Sequence, residues 1–148
     1  ITRQENIPTR WLDQGATEAM PLAMMPDRRT VGLVEAQLRD DEGLQDRTHW
    51  TRLLKNERGE GELPAAADRV LAHLAAWATP GVLPAADRAI RHFAYPVLVY
   101  PDKVKSFNLD KNPVAGGVLQ GIKGQYLIFD AGVINLRKYT GYQVEAAA

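Results

Sequence analysis

The run Gly121-Ile122-Lys123-Gly124-Gln125-Tyr126-Leu127-Ile128-Phe129-Asp130, continued across Ala131-Gly132 by Val133-Ile134-Asn135-Leu136-Arg137-Lys138-Tyr139-Thr140-Gly141-Tyr142, decides the fold of this chain. Short runs rich in β-branched and aromatic residues alternate with glycine-containing pairs, the punctuation of tight hairpins. Lys123-Gly124, Ala131-Gly132 and Thr140-Gly141 are the expected turns of an antiparallel meander over 118–145. Their glycines would supply the positive φ that such turns need. Strand alternation puts Tyr126, Ile128 and Asp130 on one face and Gln125, Leu127 and Phe129 on the other. Both faces carry large apolar side chains, so much of this sheet is expected to be buried. Residues 96–100 and 106–109 are further β-rich runs.

Upstream of residue 94 the periodicity is helical. Asn6, Pro8 and Gly15 punctuate a short helix over 8–15, with proline in the first turn and glycine at the end. Residues 19–25 are apolar, stop at Pro26 and fit a strand. Val31, Val34 and Leu38 form the buried stripe of a helix over 27–41, and Glu35 lies at the edge of that stripe. Asp46 or Thr48 can cap a helix over 48–56 that buries Trp50 and Leu53 or Leu54. Val70, Leu74 and Trp77 share one face of an alanine-rich helix over 63–78, and Pro84 starts another reaching about Phe93. The expected class is α+β: an α/β segment over 1–57, a helical connector over 58–93 and a small antiparallel β domain over 94–145.

Composition bounds the function loosely. With 148 residues, 45% hydrophobic and 24% charged, the chain is ordinary for a globular protein. Eighteen basic and 18 acidic residues cancel, so whole-chain charge points to neither nucleic acid nor membrane. The absence of cysteine excludes disulfides and thiolate zinc sites within these residues. No apolar run reaches membrane-spanning length, and a cytoplasmic protein is the expectation. The chain opens at Ile1 rather than Met and reads as part of a longer protein.

Two stretches resemble an uncharacterised bacterial family, a domain of unknown function. One is Tyr95-Pro96 through Tyr142, including Asp110-Lys111 and the Gly121 to Gln125 run; the other is Ile1-Thr2-Arg3 followed by Ile7-Pro8-Thr9-Arg10-Trp11-Leu12-Asp13-Gln14-Gly15-Ala16. The resemblance implies architecture rather than activity. It also implies a cysteine-rich zinc-binding segment that this sequence lacks, so zinc is expected only outside these residues.

A second resemblance is to the GIY-YIG nucleases, whose core runs hairpin, helix, strand, helix. It implies that Ile1-Thr2 ends the second strand and that residues 20–25 are the third. Arg10 would then be the phosphate-binding arginine and Glu35 the carboxylate that holds a divalent cation such as magnesium. A phosphodiester transition state suits such a pair, positive charge on its oxygens and a metal on a carboxylate. The hairpin bearing the family's tyrosines is missing, so catalysis by these residues alone is not expected. The simpler reading makes Arg10 a surface residue and Glu35 a solvated one on an amphipathic helix.

Lys103, Lys105, Lys111, Lys123, Arg137 and Lys138 interleave with Tyr100, Phe107, Tyr126, Tyr139 and Tyr142. Small β domains use such surfaces to stack bases and neutralise phosphates, whereas the simpler reading puts the aromatics in the core. Gly121-Ile122-Lys123-Gly124 lacks the strand–glycines–helix context of a phosphate loop and reads as a turn. The sequence therefore suggests a nucleic-acid-associated protein, a degenerate relative of GIY-YIG nucleases. Arg10 and Glu35 would be its catalytic residues, and Arg3, Lys123, Arg137 and Lys138 its nucleic-acid contacts. The alternative is a non-catalytic protein- or RNA-binding adaptor that uses the β domain.

Overall fold

The computed structural model describes residues 6–42, 44, 45 and 47–147. Arg3, the Ile1-Thr2 strand end and the Asp46 cap fall outside the described residues. The architecture is mixed α+β, as expected: four α-helices and small antiparallel sheets.

Helix α1 (Ile7–Asp13) carries its proline early and ends at Gly15, φ +74°. The Gly15 N–H donates to the Leu12 carbonyl and the Ala16 N–H to that of Trp11, the double bond of a left-handed helix end. The positive φ favours glycine there, and an added Cβ would also lie 2.5 Å from the Leu53 side chain, which would have to shift. The expected strand over 19–25 divides into β1 (Glu18–Ala19) and β2 (Ala23–Met24). Helix α2 (Arg28–Glu42) packs Val34 against Val70 and Leu74 of α4 (Leu63–Trp77), with Leu22, Met25, Leu38 and Val82 around them. This is one core of the molecule.

The helix expected over 84–93 does not form. Leu83–Pro84 (β3) pairs with β2, and Arg91–His92 (β4) pairs with β1, both antiparallel. The Asp87 side chain accepts from the Ala89 N–H, a local turn that competes with helix. The returning segment thus pairs with both halves of the 19–25 stretch.

Strands β5 (Leu119–Lys123), β6 (Tyr126–Phe129) and β7 (Gly132–Asn135) make the expected meander. The first turn lies at Gly124-Gln125, with Gly124 at φ +57°. The second lies at Asp130-Ala131 and opens β7 at Gly132. Gly132 does not have positive φ; instead it lets the Lys105 backbone approach, since an added Cβ would sit 2.7 Å from that carbonyl. No strand follows Thr140-Gly141; a 3-10 turn, Leu136–Tyr139, takes over after β7.

The register places Lys123 opposite Tyr126 and Gly121 opposite Ile128. Ile128 and Val133 form the second core with Leu54 of α3 (Trp50–Leu54), flanked by Leu53, Val97, Val104 and Tyr126. Trp50 remains 39% exposed and stacks on the Tyr126 ring rather than filling the core. The face of the meander that bears Lys123 is thus the face that meets α3.

Candidate functional site

The two stretches that carry the family resemblance, far apart in sequence, touch at this seam. The hairpin turn backs onto the end of α1: a Cβ on Gly124 would lie 2.8 Å from the Asp13 carbonyl and 3.0 Å from the Gly15 nitrogen. The Asp13 carboxylate accepts from Gln125 Nε2 at 3.0 Å and from Arg137 at 2.8 Å, with the Arg10 guanidinium 3.5 Å away. The Tyr95 hydroxyl reaches the Ala16 carbonyl at 2.8 Å.

Lys123 ends β5 inside this seam and is only 1% exposed. Its Nζ donates to Asn56 Oδ1 at 2.8 Å and lies 5.5 Å and 5.1 Å from the ring centres of Tyr95 and Tyr100. Among the described residues no carboxylate stands within ion-pair distance of it. Burying an ammonium costs several kcal/mol unless it is paired. Two ring faces return about 0.5–2 kcal/mol each. Burial accordingly pushes the Lys123 amine below its ordinary range. It pushes both tyrosine hydroxyls up, that of Tyr95 with help from neighbouring Tyr100.

Asn56 is placed by the end of α3. It adopts φ +57°, its N–H donates to the Leu53 carbonyl, and the Glu57 N–H donates to that of Arg52. This repeats the helix ending at Gly15, and asparagine is the side chain best suited to that backbone after glycine. The turn aims an exposed carboxamide at the buried amine.

Asn56 and Lys123 line a cleft of about 380 Å³ together with Gln14, His49, Arg52 and Arg58. Glu57 lies 3.6 Å from Arg52, and Glu18 lies 3.7 Å from Arg58. Both pairs are exposed and weak, on the order of 0–1 kcal/mol. Lys123 differs from them in being buried with no counter-charge among the described residues.

The other expected site residues lie elsewhere. Arg10 and Arg137 converge on Asp13. Glu35 lines an apolar groove of about 260 Å³ with Met25, Val31, Val34, Leu38 and Leu44. No hydrogen bond or ion pair joins Arg10 to Glu35 among the described residues. Beside Glu35, Gln45 is the one polar residue of this groove among the described residues. Among the described residues no three metal-ligating side chains cluster. Lys138 Nζ lies 3.5 Å from Asp110 and 3.3 Å from the Tyr139 hydroxyl, and Tyr142 donates to Asp110. The Tyr139 hydrogen bond is the main cause that raises Lys138, and the Tyr142 bond is the main cause that lowers Asp110.

Sequence reasoning missed Asn56 as the partner of Lys123, and Arg52 and Arg58 as residues of the same cleft. The one signal was Asn56 itself, a left-handed residue type at a helix end. Nothing local reveals that Tyr95 and Tyr100 close over the amine.

Fold and site together define an α+β protein whose β meander and α1–α3 segment enclose a cleft with a buried lysine in its wall. A family model described as protein of unknown function (DUF2797) matches residues 1–144, and the chain belongs to that family. No curated protein and no solved structure matches it.

Proposed function

We propose that the protein is nucleic-acid-associated and that a substrate phosphate docks in the cleft at Lys123. The observation that carries this reading is the buried ammonium with a neutral partner only. A phosphate oxygen would supply the missing charge, and charge-assisted hydrogen bonds are worth about twice neutral ones. Arg52 and Arg58 support the reading, since a phosphate can replace their exposed carboxylate partners. Arg137 and Lys138 are rim contacts at most, because Asp13 and Asp110 already engage them. The nuclease analogy for Arg10 and Glu35 gains no support, and binding without chemistry at that pair is the better reading.

The test is a titration of labelled single-stranded RNA and DNA at low and moderate salt. Few cations are involved, so a shallow slope of about −1 to −2 in log affinity against log salt is expected. Lys123→Met should weaken binding by roughly tenfold or more, the worth of a charged hydrogen bond. Lys138→Glu should change it little. Absence of binding at low salt would favour the adaptor reading. That alternative is supported by the apolar strip at the edge of the meander, where Leu98 is 86%, Val118 63% and Leu119 46% exposed.

A further inference from the structure

Lys123 has chemistry that phosphate binding alone does not use. A charged lysine has three N–H donors, and among the described residues this one meets a single hydrogen-bond acceptor, Asn56 Oδ1. Its other surroundings are the Tyr95 and Tyr100 rings, which accept weakly and hold no charge. Such a pocket favours loss of the proton, and the neutral amine is the nucleophilic form. The amine itself is only 1% exposed, but Lys123 lines the cleft and its hydrogen-bond partner Asn56 is exposed there, so a ligand that displaces the Asn56 carboxamide meets the amine.

We propose that Lys123 forms a reversible imine with the aldehyde of a phosphate-bearing ligand held in this cleft; this rests on the phosphate reading above. The Nζ lone pair adds to the carbonyl carbon and the carbonyl electron pair moves to oxygen. The carbinolamine then loses its oxygen as water, taking the two amine protons, as the C=N bond forms. Amine plus aldehyde gives imine plus water, with no oxidant or reductant. In such a ligand Arg52 and Arg58 hold the phosphate. The aldehyde, not the phosphate, lies against Nζ, which reacts once it has released its proton. The tyrosine rings keep bulk water from one side of the amine. Two sources share this ligand chemistry: a free phosphorylated aldehyde, and a nucleic-acid strand whose base-less sugar has opened to its aldehyde.

The experiment traps the imine with cyanoborohydride, which delivers hydride and leaves a secondary amine of known mass. Three probes are used: glyceraldehyde 3-phosphate, glyceraldehyde, and a single-stranded oligonucleotide with one base-less site. Peptide mass mapping of the unmodified protein should locate the adduct at Lys123. Labelling should be at least tenfold faster with a phosphate-bearing probe than with glyceraldehyde, and should fall when inorganic phosphate competes. Whichever phosphate-bearing probe reacts faster names the source. Asn56→Gly, which suits the left-handed backbone and removes the acceptor, should speed labelling. Lys123→Arg should abolish the adduct while keeping the charge. Adducts spread over exposed Lys55, Lys103, Lys105 and Lys111, with none at Lys123, would overturn the imine. Nucleic-acid binding without any adduct would refute the imine alone, whereas absence of both binding and phosphate protection would refute the reading beneath it.

Discussion

Lys123 ends the first strand of the meander and Lys138 lies in the turn that follows its last strand, yet their ammonium groups have opposite surroundings. Lys138 is exposed and held between the Asp110 carboxylate and the Tyr139 hydroxyl. Lys123 is buried among Asn56, Tyr95 and Tyr100 with no carboxylate at hand. In sequence both are members of one basic, aromatic-interleaved set. In space one has its charge satisfied at the surface, and the other is buried with no carboxylate beside it among the described residues. Basic content therefore says little here; the sheet face and the counter-charge decide.

The largest effect should come from opening the seam that creates this difference. Gly124→Val adds a Cβ to a left-handed residue already against the Asp13 carbonyl. It should cost on the order of 2–4 kcal/mol in urea or thermal unfolding. A neutral effect would mean that the hairpin does not press on α1. Lys123→Met sharpens the contrast in the other direction. Replacing a buried unpaired charge by an apolar chain of similar size should leave stability unchanged or raise it by about 1–3 kcal/mol, while ligand binding falls. Lys138→Met should shift neither. A Lys123→Met protein that barely folds would show the ammonium to be a structural necessity.

Alkaline pH separates the lysine from its cage. The unfolded chain keeps the Lys123 proton up to its ordinary 10.5, and the folded chain releases it sooner. Between those two values the unfolded state binds more protons, so this residue makes stability rise with pH. Tyr95 and Tyr100 act oppositely, since their ordinary value is 10.0 and the folded state holds their protons longer. Above about pH 10 they make stability fall. Unfolding free energy should thus climb toward pH 10 and drop beyond it, and Lys123→Met should remove the climb only. A wild-type profile with no climb would break the comparison. The smallest effect belongs to the surface cluster. Asp13→Ala frees Arg10 and Arg137 but should cost about 1 kcal/mol or less, because these ion pairs are exposed.

The sequence made the meander legible because glycine pairs and β-branched runs act locally. The hairpin turn at Gly124, one residue from its expected place, and the α2 and α4 stripes are read from neighbours a few residues apart. The segment over 83–92 was misread because its partners are distant. Pro84 and the alanines after it favour helix start, but pairing with β1 and β2 overrode that propensity. The site was half legible: Lys123 was singled out, but as a surface contact. Its burial depends on which sheet face meets α3, and that is settled by Leu54, Ile128 and Val133 closing a core together. The convergence of Arg10 and Arg137 on Asp13 was invisible for the same reason.

Lys123 is a buried amine with no carboxylate beside it among the described residues, and its own titration reads this out without any ligand. Carbon-13 labelled lysine, followed by NMR through the side-chain carbon next to Nζ, reports Lys123 and Lys138 in one sample, with Lys123→Met and Lys138→Met assigning the signals. Lys123 is expected to titrate below 10.5 and Lys138 above it. Lys123 titrating together with Lys138, or above it, would show that its amine is solvated or paired with a charge.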